Sequence, residues 1–176
     1  MDFGTVLGVV AGFLDEKGFR YAVIGGVALA AYGMPRNTVD LDLVVEFSAQ
    51  DEVVRFLEAR GYETLHRSRG YSNHRHPDLN WGNLDLVYVD GETSRNLFAA
   101  LRRSRGPRDL PIPLPKPEHL AALKVLAMKN DPSRTHQEMA DIRFLLLLPG
   151  VDRQEVRSYF DRHGMEDRFE ELTEPS

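Results

Sequence analysis

Residues 21–46 read YAVIGGVALAAYGMPRNTVDLDLVVE, and the fold turns on this stretch. Tyr21-Ala22-Val23-Ile24 is a short apolar run of the kind that makes a buried strand. Gly25-Gly26 ends it, and Val27 to Tyr32 reads as a short helix closed by Gly33. A thirteen-residue gap after Gly26 leads to Asp40-Leu41-Asp42-Leu43-Val44-Val45. Side chains i and i+2 of a strand share a face, so Asp40 and Asp42 present two carboxylates side by side while Leu41 and Leu43 turn the other way. Two like charges this close repel unless a cation lies between them. The natural cation for an all-oxygen site is Mg²⁺ or Mn²⁺.

The glycines add a second element. A Gly-Gly turn at a helix start lets backbone amides approach a phosphate with no Cβ in the way, and the helix dipole favours the anion. Alone, each piece is more often an ordinary turn or a solvated acidic strand end. In this order they are the equipment of a nucleoside-triphosphate enzyme.

Gly25-Gly26, the gap and Asp40-Leu41-Asp42 resemble the signature of the polymerase-beta-type nucleotidyltransferase superfamily. GGVALAAYGMPRNTVDLDLVV is most similar to its small prokaryotic branch related to abortive-infection, type IV toxin–antitoxin nucleotidyltransferases. The resemblance is strong over residues 20–90 and looser over 115–148. It implies a third carboxylate on a neighbouring strand, and Asn83-Leu84-Asp85-Leu86-Val87-Tyr88-Val89 offers Asp85. It also implies that Asp40, Asp42 and Asp85 hold two Mg²⁺ (or Mn²⁺) ions and that Asp85 accepts a proton from the acceptor hydroxyl. NTP is the implied substrate. The implied acceptors are a tRNA 3′ end, a protein or a small molecule such as an aminoglycoside, and an antitoxin is an implied partner. The alternative is a non-catalytic nucleotide- or RNA-binding module, or an antitoxin-partnered module, with the same fold.

Composition bounds these expectations. With 42% apolar and 28% charged residues in 176, the chain sits with ordinary globular domains. It reads as one domain, or as a core with a helical extension. The longest apolar run, Phe144 to Leu148, is far below the ~18–20 residues of a membrane span. Met1-Asp2-Phe3 shows no basic leader, so no secretory signal is read. The absence of cysteine excludes disulfides, thiolate metal sites and thiol nucleophiles, and points to the cytoplasm. A net charge of −5 speaks against a duplex-coating protein but leaves room for an enzyme that touches one RNA end. Arg67, Arg69 and Arg75 cluster in one segment, and Arg102, Arg103, Arg105 and Arg108 in another.

Along the chain, residues 3–17 predict an amphipathic helix and 40–46 a strand. Ser48 is read as the cap of a helix to Arg60, and Tyr62 to His66 as a strand. Residues 67–82 are ambiguous, with turn chemistry in Gly70, Pro77, Asp78 and Asn80. Ser94 is read as the cap of a helix to about Arg103. The prolines of 110–115 allow an extended edge segment or a linker. Helices follow over 117–129, 136–148 and, capped by Asp152, to about His163. The expected architecture is α/β (α+β). A small mixed sheet flanked by helices forms the nucleotidyltransferase core, 1–110, and a C-terminal helical subdomain covers 111–176.

Three further residues join the expected site by resemblance. Arg36 would offer its fork to phosphate oxygens, or else pair with a neighbouring carboxylate. Lys124, in PEHLAALKVLA, would hold the triphosphate. Placed at the edge of the buried helix face, it would be removable with a loss of NTP binding and an intact fold; its other reading is a snorkelling surface lysine. Asp141 would orient Lys124 or approach the nucleotide, or else is a helix-surface charge. His74-Arg75-His76 lacks a third ligand and reads as solvated loop or acceptor contact. Tyr71 and Trp81 read as loop anchors that could also stack on a base. No Gly-Lys-Ser/Thr follows the glycines, which excludes a P-loop.

Overall fold

The structure, a computed structural model, describes residues 1–34 and 37–173. The chain divides into two compact units, Met1–Pro115 and Lys116–Ser176.

The first unit runs α1 (Phe3–Glu16), β1 (Tyr21–Val23), α2 (Gly25–Ala31), β2 (Asp40–Glu46), a 3-10 turn (Phe47–Ala49) and α3 (Gln50–Glu58). It continues with β3 (Glu63–Arg67), β4 (Tyr71–Arg75), β5 (Asn83–Val89), α4 (Gly91–Ala99), β6 (Arg102–Arg105) and β7 (Pro111–Leu114). A five-stranded sheet has the order β1-β2-β5-β4-β3. Its one parallel pair is β2–β5, and the other neighbours are antiparallel. Leu41, Leu43, Leu84 and Leu86, on one face, are fully buried. The apolar stripes of α1 (Val6, Leu7, Val10, Leu14) and α3 (Val53, Val54, Leu57) add to this core, and Phe13 stacks on Phe56. Asp2 caps α1 by accepting the Thr5 N–H, as a carboxylate at a helix start should.

The structure settles one open segment and corrects two local expectations. Residues 71–75, inside the segment 67–82 that the sequence does not assign to helix or strand, form β4, which pairs with both β3 and β5. Its inward positions are Ser72 and His74, so no hydrophobic alternation marks it. These two are buried in a hydrogen-bonded chain: Ser72 Oγ meets His74 Nε2 and the Tyr88 hydroxyl at 2.8 Å each, and Thr64 Oγ1 lies 3.1 Å from His74 Nδ1. Ser48 lies inside the 3-10 turn, and α3 starts behind Ala49 with no side-chain cap. Ser94 lies within α4, which ends at Ala99. The arginines beyond it enter a two-stranded ladder instead, Arg102 opposite Leu114 and Ser104 opposite Ile112. The apolar anchors of that ladder are Ile112 and Leu114, so β6 itself carries no strand signal. Both strands of such a ladder are edges, which accommodates Pro111 and Pro113.

The second unit is helical: α5 (Pro117–Asn130), α6 (Thr135–Leu146), α7 (Arg153–Asp161) and α8 (Glu166–Thr173). Pro117 opens α5, and Asp152 caps α7 through the Gln154 and Glu155 N–H groups. The short α8 lies beyond the last helix that the sequence predicts. It docks through Phe169, whose ring meets Phe160 of α7 edge-on at 5.5 Å.

Candidate active site

In the parallel ladder Asp42 stands opposite Asp85, and Asp40 opposite Asn83. Register partners of a parallel pair point to the same side. All four residues therefore share the sheet face opposite to Leu41, Leu43, Leu84 and Leu86. β4 extends both rows, with Asn73 opposite Asp85 and Arg75 opposite Asn83. The face thus carries Asn73–Asp85–Asp42 in one row and Arg75–Asn83–Asp40 in the next. The three aspartates are half-buried, which gives them support from below and access from solvent. Sequence reasoning needs only period 2 to pair Asp40 with Asp42. The β2–β5 register is what adds Asp85.

The Gly25-Gly26 turn at the start of α2 abuts this face. Gly25 has φ +62, and a Cβ there would lie 1.9 Å from Asp42 Oδ2. A Cβ on Gly26 would lie 2.6 Å from the Thr38 Cβ. Both glycines are therefore required by close packing, whatever approaches their amides. A cleft of about 400 Å³ is walled by Phe3, Val27, Ala31, Thr38 and Pro107. It reaches Gly26 but none of the three aspartates.

Polar neighbours fix the carboxylates. Asn83 Nδ2 donates to Asp40 Oδ1 at 2.9 Å, and Asn73 Nδ2 donates to Asp85 Oδ1. Burial, then the charge of the Asp85 carboxylate beside it, pushes the Tyr71 phenol well above its ordinary pKa. Asn73, Asn83 and Tyr71 are the site residues that the sequence reading did not assign. For Tyr71 and Asn73 the signal was the alternation Tyr71-x-Asn73-x-Arg75, legible only once β4 is known to be a strand; for Asn83 it was the β2–β5 register. Among the described residues, no three His, Asp or Glu side chains are gathered closely enough to enclose an ion.

Arg36 lies outside the described residues. Lys124 and Asp141 lie in the second unit. There Lys124 Nζ donates to Glu138 Oε2 at 2.8 Å and to Asp141 Oδ2 at 2.5 Å. The lysine side chain is 12% exposed and each carboxylate 2%, so this is a buried ion cluster and not a snorkelling edge lysine or a surface aspartate. Arg134 closes on the other oxygen of Glu138 at 2.6 Å. The histidines differ from the loop reading too. His74 is fully buried, and His76 Nε2 meets the Arg60 carbonyl at 3.0 Å within a cluster formed with Tyr62 and Trp81. Of the second arginine cluster, Arg105 pairs with Asp109 and Arg108 with Asp2.

No protein-family profile matches the sequence, and neither does any curated protein. Solved structures do resemble it. The solution structure of the antibiotic-resistance factor ANT(2'')-Ia superposes with a TM-score of 0.65 at 15% identity, over 98% of this chain and 96% of that one. The lincosamide antibiotic adenylyltransferase LnuA, solved with lincomycin bound, gives 0.58 at 17% identity, over 81% and 96%. An antigenic nucleotidyltransferase-like protein from Paracoccidioides brasiliensis gives 0.55 at 19%, over 96% and 92%. The chain shares its mixed α/β fold with these structures. At these identities the likeness is one of fold.

Proposed function

We propose that the chain is a nucleotidyltransferase, moving a nucleoside monophosphate from an NTP to an acceptor hydroxyl with release of pyrophosphate. The observation that carries this reading is the Asp42–Asp85 rung, with Asp40 two residues away on the same face and the Gly25 turn against Asp42.

The donor set suits a hard divalent cation. Three aspartates on one half-buried face offer only oxygen ligands, and Mg²⁺ or Mn²⁺ takes such ligands. Asp42 and Asp85, register partners, would hold it with Asp40 two residues away, and the three carboxylates would have to draw together to do so, since as they stand they do not gather around one ion position. When bound, as one ion or two, it neutralises the triphosphate and the charge that develops on the transferred phosphoryl group. The chain's own residues do the rest. The Gly25-Gly26 turn receives the phosphates, with Arg36 as a further cation. Asp85 takes the proton of the acceptor hydroxyl as its oxygen attacks the α-phosphorus, and the bond from the α-phosphorus to the pyrophosphate oxygen breaks. Lys124, with Asp141 orienting it, enters this proposal only as a group that would exchange a carboxylate partner for phosphate.

For the acceptor we favour a hydroxyl on a small, cationic polyol. The net charge of −5 and the carboxylate face attract cations, and two fold neighbours carry antibiotics in their names. A tRNA 3′ end or protein acceptor, with a toxin role and an antitoxin partner, rests on the resemblance of residues 20–90.

Thermal denaturation with each NTP tests the binding half of the reading. An NTP with Mg²⁺ should raise the melting temperature, and much less so without the ion, because only a ligand of the folded state stabilises it. Asp42→Ala should abolish the ion-dependent part. The same shift in that variant would place the nucleotide away from this face.

A further inference from the structure

Three carboxylates on one sheet face repel one another, and each must still be held in one orientation. On this face two of them are met by an asparagine from the neighbouring strand. Asn83 is the register partner of Asp40 and donates to its Oδ1 at 2.9 Å. Asn73 is the register partner of Asp85 and donates to its Oδ1. Directly opposed residues hold their Cβ atoms about 5 Å apart, so a side chain as short as asparagine reaches its partner without bending. The same device thus recurs on two ladders, one parallel and one antiparallel.

The chemistry of the donor matters. An arginine or lysine in these places would orient the carboxylate and also cancel the charge that a divalent cation needs. An amide orients it and leaves the charge. Arg75 sits in the Asn83–Asp40 row, and its guanidinium is turned to Glu63 at 3.1 Å. We infer that Asn73 and Asn83 are positioning residues of the nucleotidyl-transfer site, neutral donors that aim Asp85 and Asp40 without discharging them. This deepens the function proposed above and rests on it.

The test compares Ala and Asp at both positions. Pyrophosphate release from ATP would be measured with Mg²⁺ and lincomycin, tobramycin or tRNA as acceptor. Asn73→Ala and Asn83→Ala should lower kcat about 10–100-fold, the usual effect of removing the partner of a metal-holding side chain, with KM for ATP unchanged. Asn73→Asp and Asn83→Asp keep the shape and replace the donor with a like charge. They should fall below the Ala variants, whereas a packing role would leave them near wild type. Asn73→Gln, which keeps an amide, should recover part of the loss. Should these variants melt early, a comparison of the wild type with Leu variants of the two aspartates still answers. The side-chain amide resonances of Asn73 should move in Asp85→Leu and those of Asn83 in Asp40→Leu, and amides that stay put would overturn the contact. Asp variants with wild-type kcat, or losses confined to KM, would overturn the inference and leave the transferase reading standing. A wild-type chain that releases no pyrophosphate with any NTP and acceptor would overturn both.

Discussion

Asp42 Oδ2 occupies the space that a Cβ on Gly25 would fill. The acidic strand and the glycine turn are therefore one packed unit: the turn can take its left-handed backbone and admit the carboxylate only because residue 25 has no side chain. Two motifs that are fourteen or more positions apart in sequence meet atom to atom.

Gly25→Ala should consequently do two things. It forces a side chain into φ +62 and displaces Asp42. Chemical denaturation should show a loss of about 1–3 kcal/mol. The Mg²⁺-dependent stabilisation by NTP should vanish as well, as in Asp42→Ala. A variant that keeps the ion-dependent shift would separate the turn from the carboxylate.

Lys124→Ala should unfold the protein more readily, contrary to what a lysine at a helix edge predicts. It would take the lysine from Glu138 and Asp141, whose side chains are 2% exposed, while Arg134 still meets Glu138. Removing one partner of such a cluster costs about 3–5 kcal/mol. Lys124→Met combined with Glu138→Gln and Asp141→Asn should recover much of it. Denaturation of the two variants measures this, and an unchanged midpoint in Lys124→Ala would refute the buried cluster.

His74 sets an acid limit on stability. Burial pushes its pKa down to about 4, from 6.5 in an unfolded chain. Between those values the unfolded state binds the extra proton, so stability falls as pH drops from about 6.5 towards 4 and is complete above. The loss is on the order of 3 kcal/mol. Glu58 opposes this shift and Arg67 reinforces it, so both belong in the comparison. His74→Gln should flatten this part of the stability–pH curve. An identical curve would assign the acid sensitivity to other groups.

The parts of the fold that alternate or punctuate strongly were readable. β2 spans Asp40–Glu46 as the sequence predicts, because leucine and valine fall at its buried positions. β4 was not readable: its buried positions are Ser72 and His74, and their burial is tolerable only because Tyr88 and Thr64 complete their hydrogen bonds. The same gap hid part of the candidate site. Asp40 and Asp42 are neighbours by local geometry, but Asn73 and Asn83 reach the aspartates through strand order and register, which no short stretch of sequence encodes. Lys124 and Asp141 were singled out as a pair, yet Glu138, three residues before Asp141 on α6, had no signal to distinguish it from an exposed helix acid.

The most direct measurement follows two labels of the NTP. Protein, Mg²⁺ and each NTP carrying an α- or a γ-phosphate label would be incubated with aminoglycoside, lincosamide, tRNA and protein acceptors, alongside Asp42→Ala and Asp85→Ala. The account predicts that α-label moves to one acceptor class while γ-label leaves as pyrophosphate, and that both variants abolish the transfer. Transfer of γ-label instead, or α-label transfer undiminished in both variants, would contradict it.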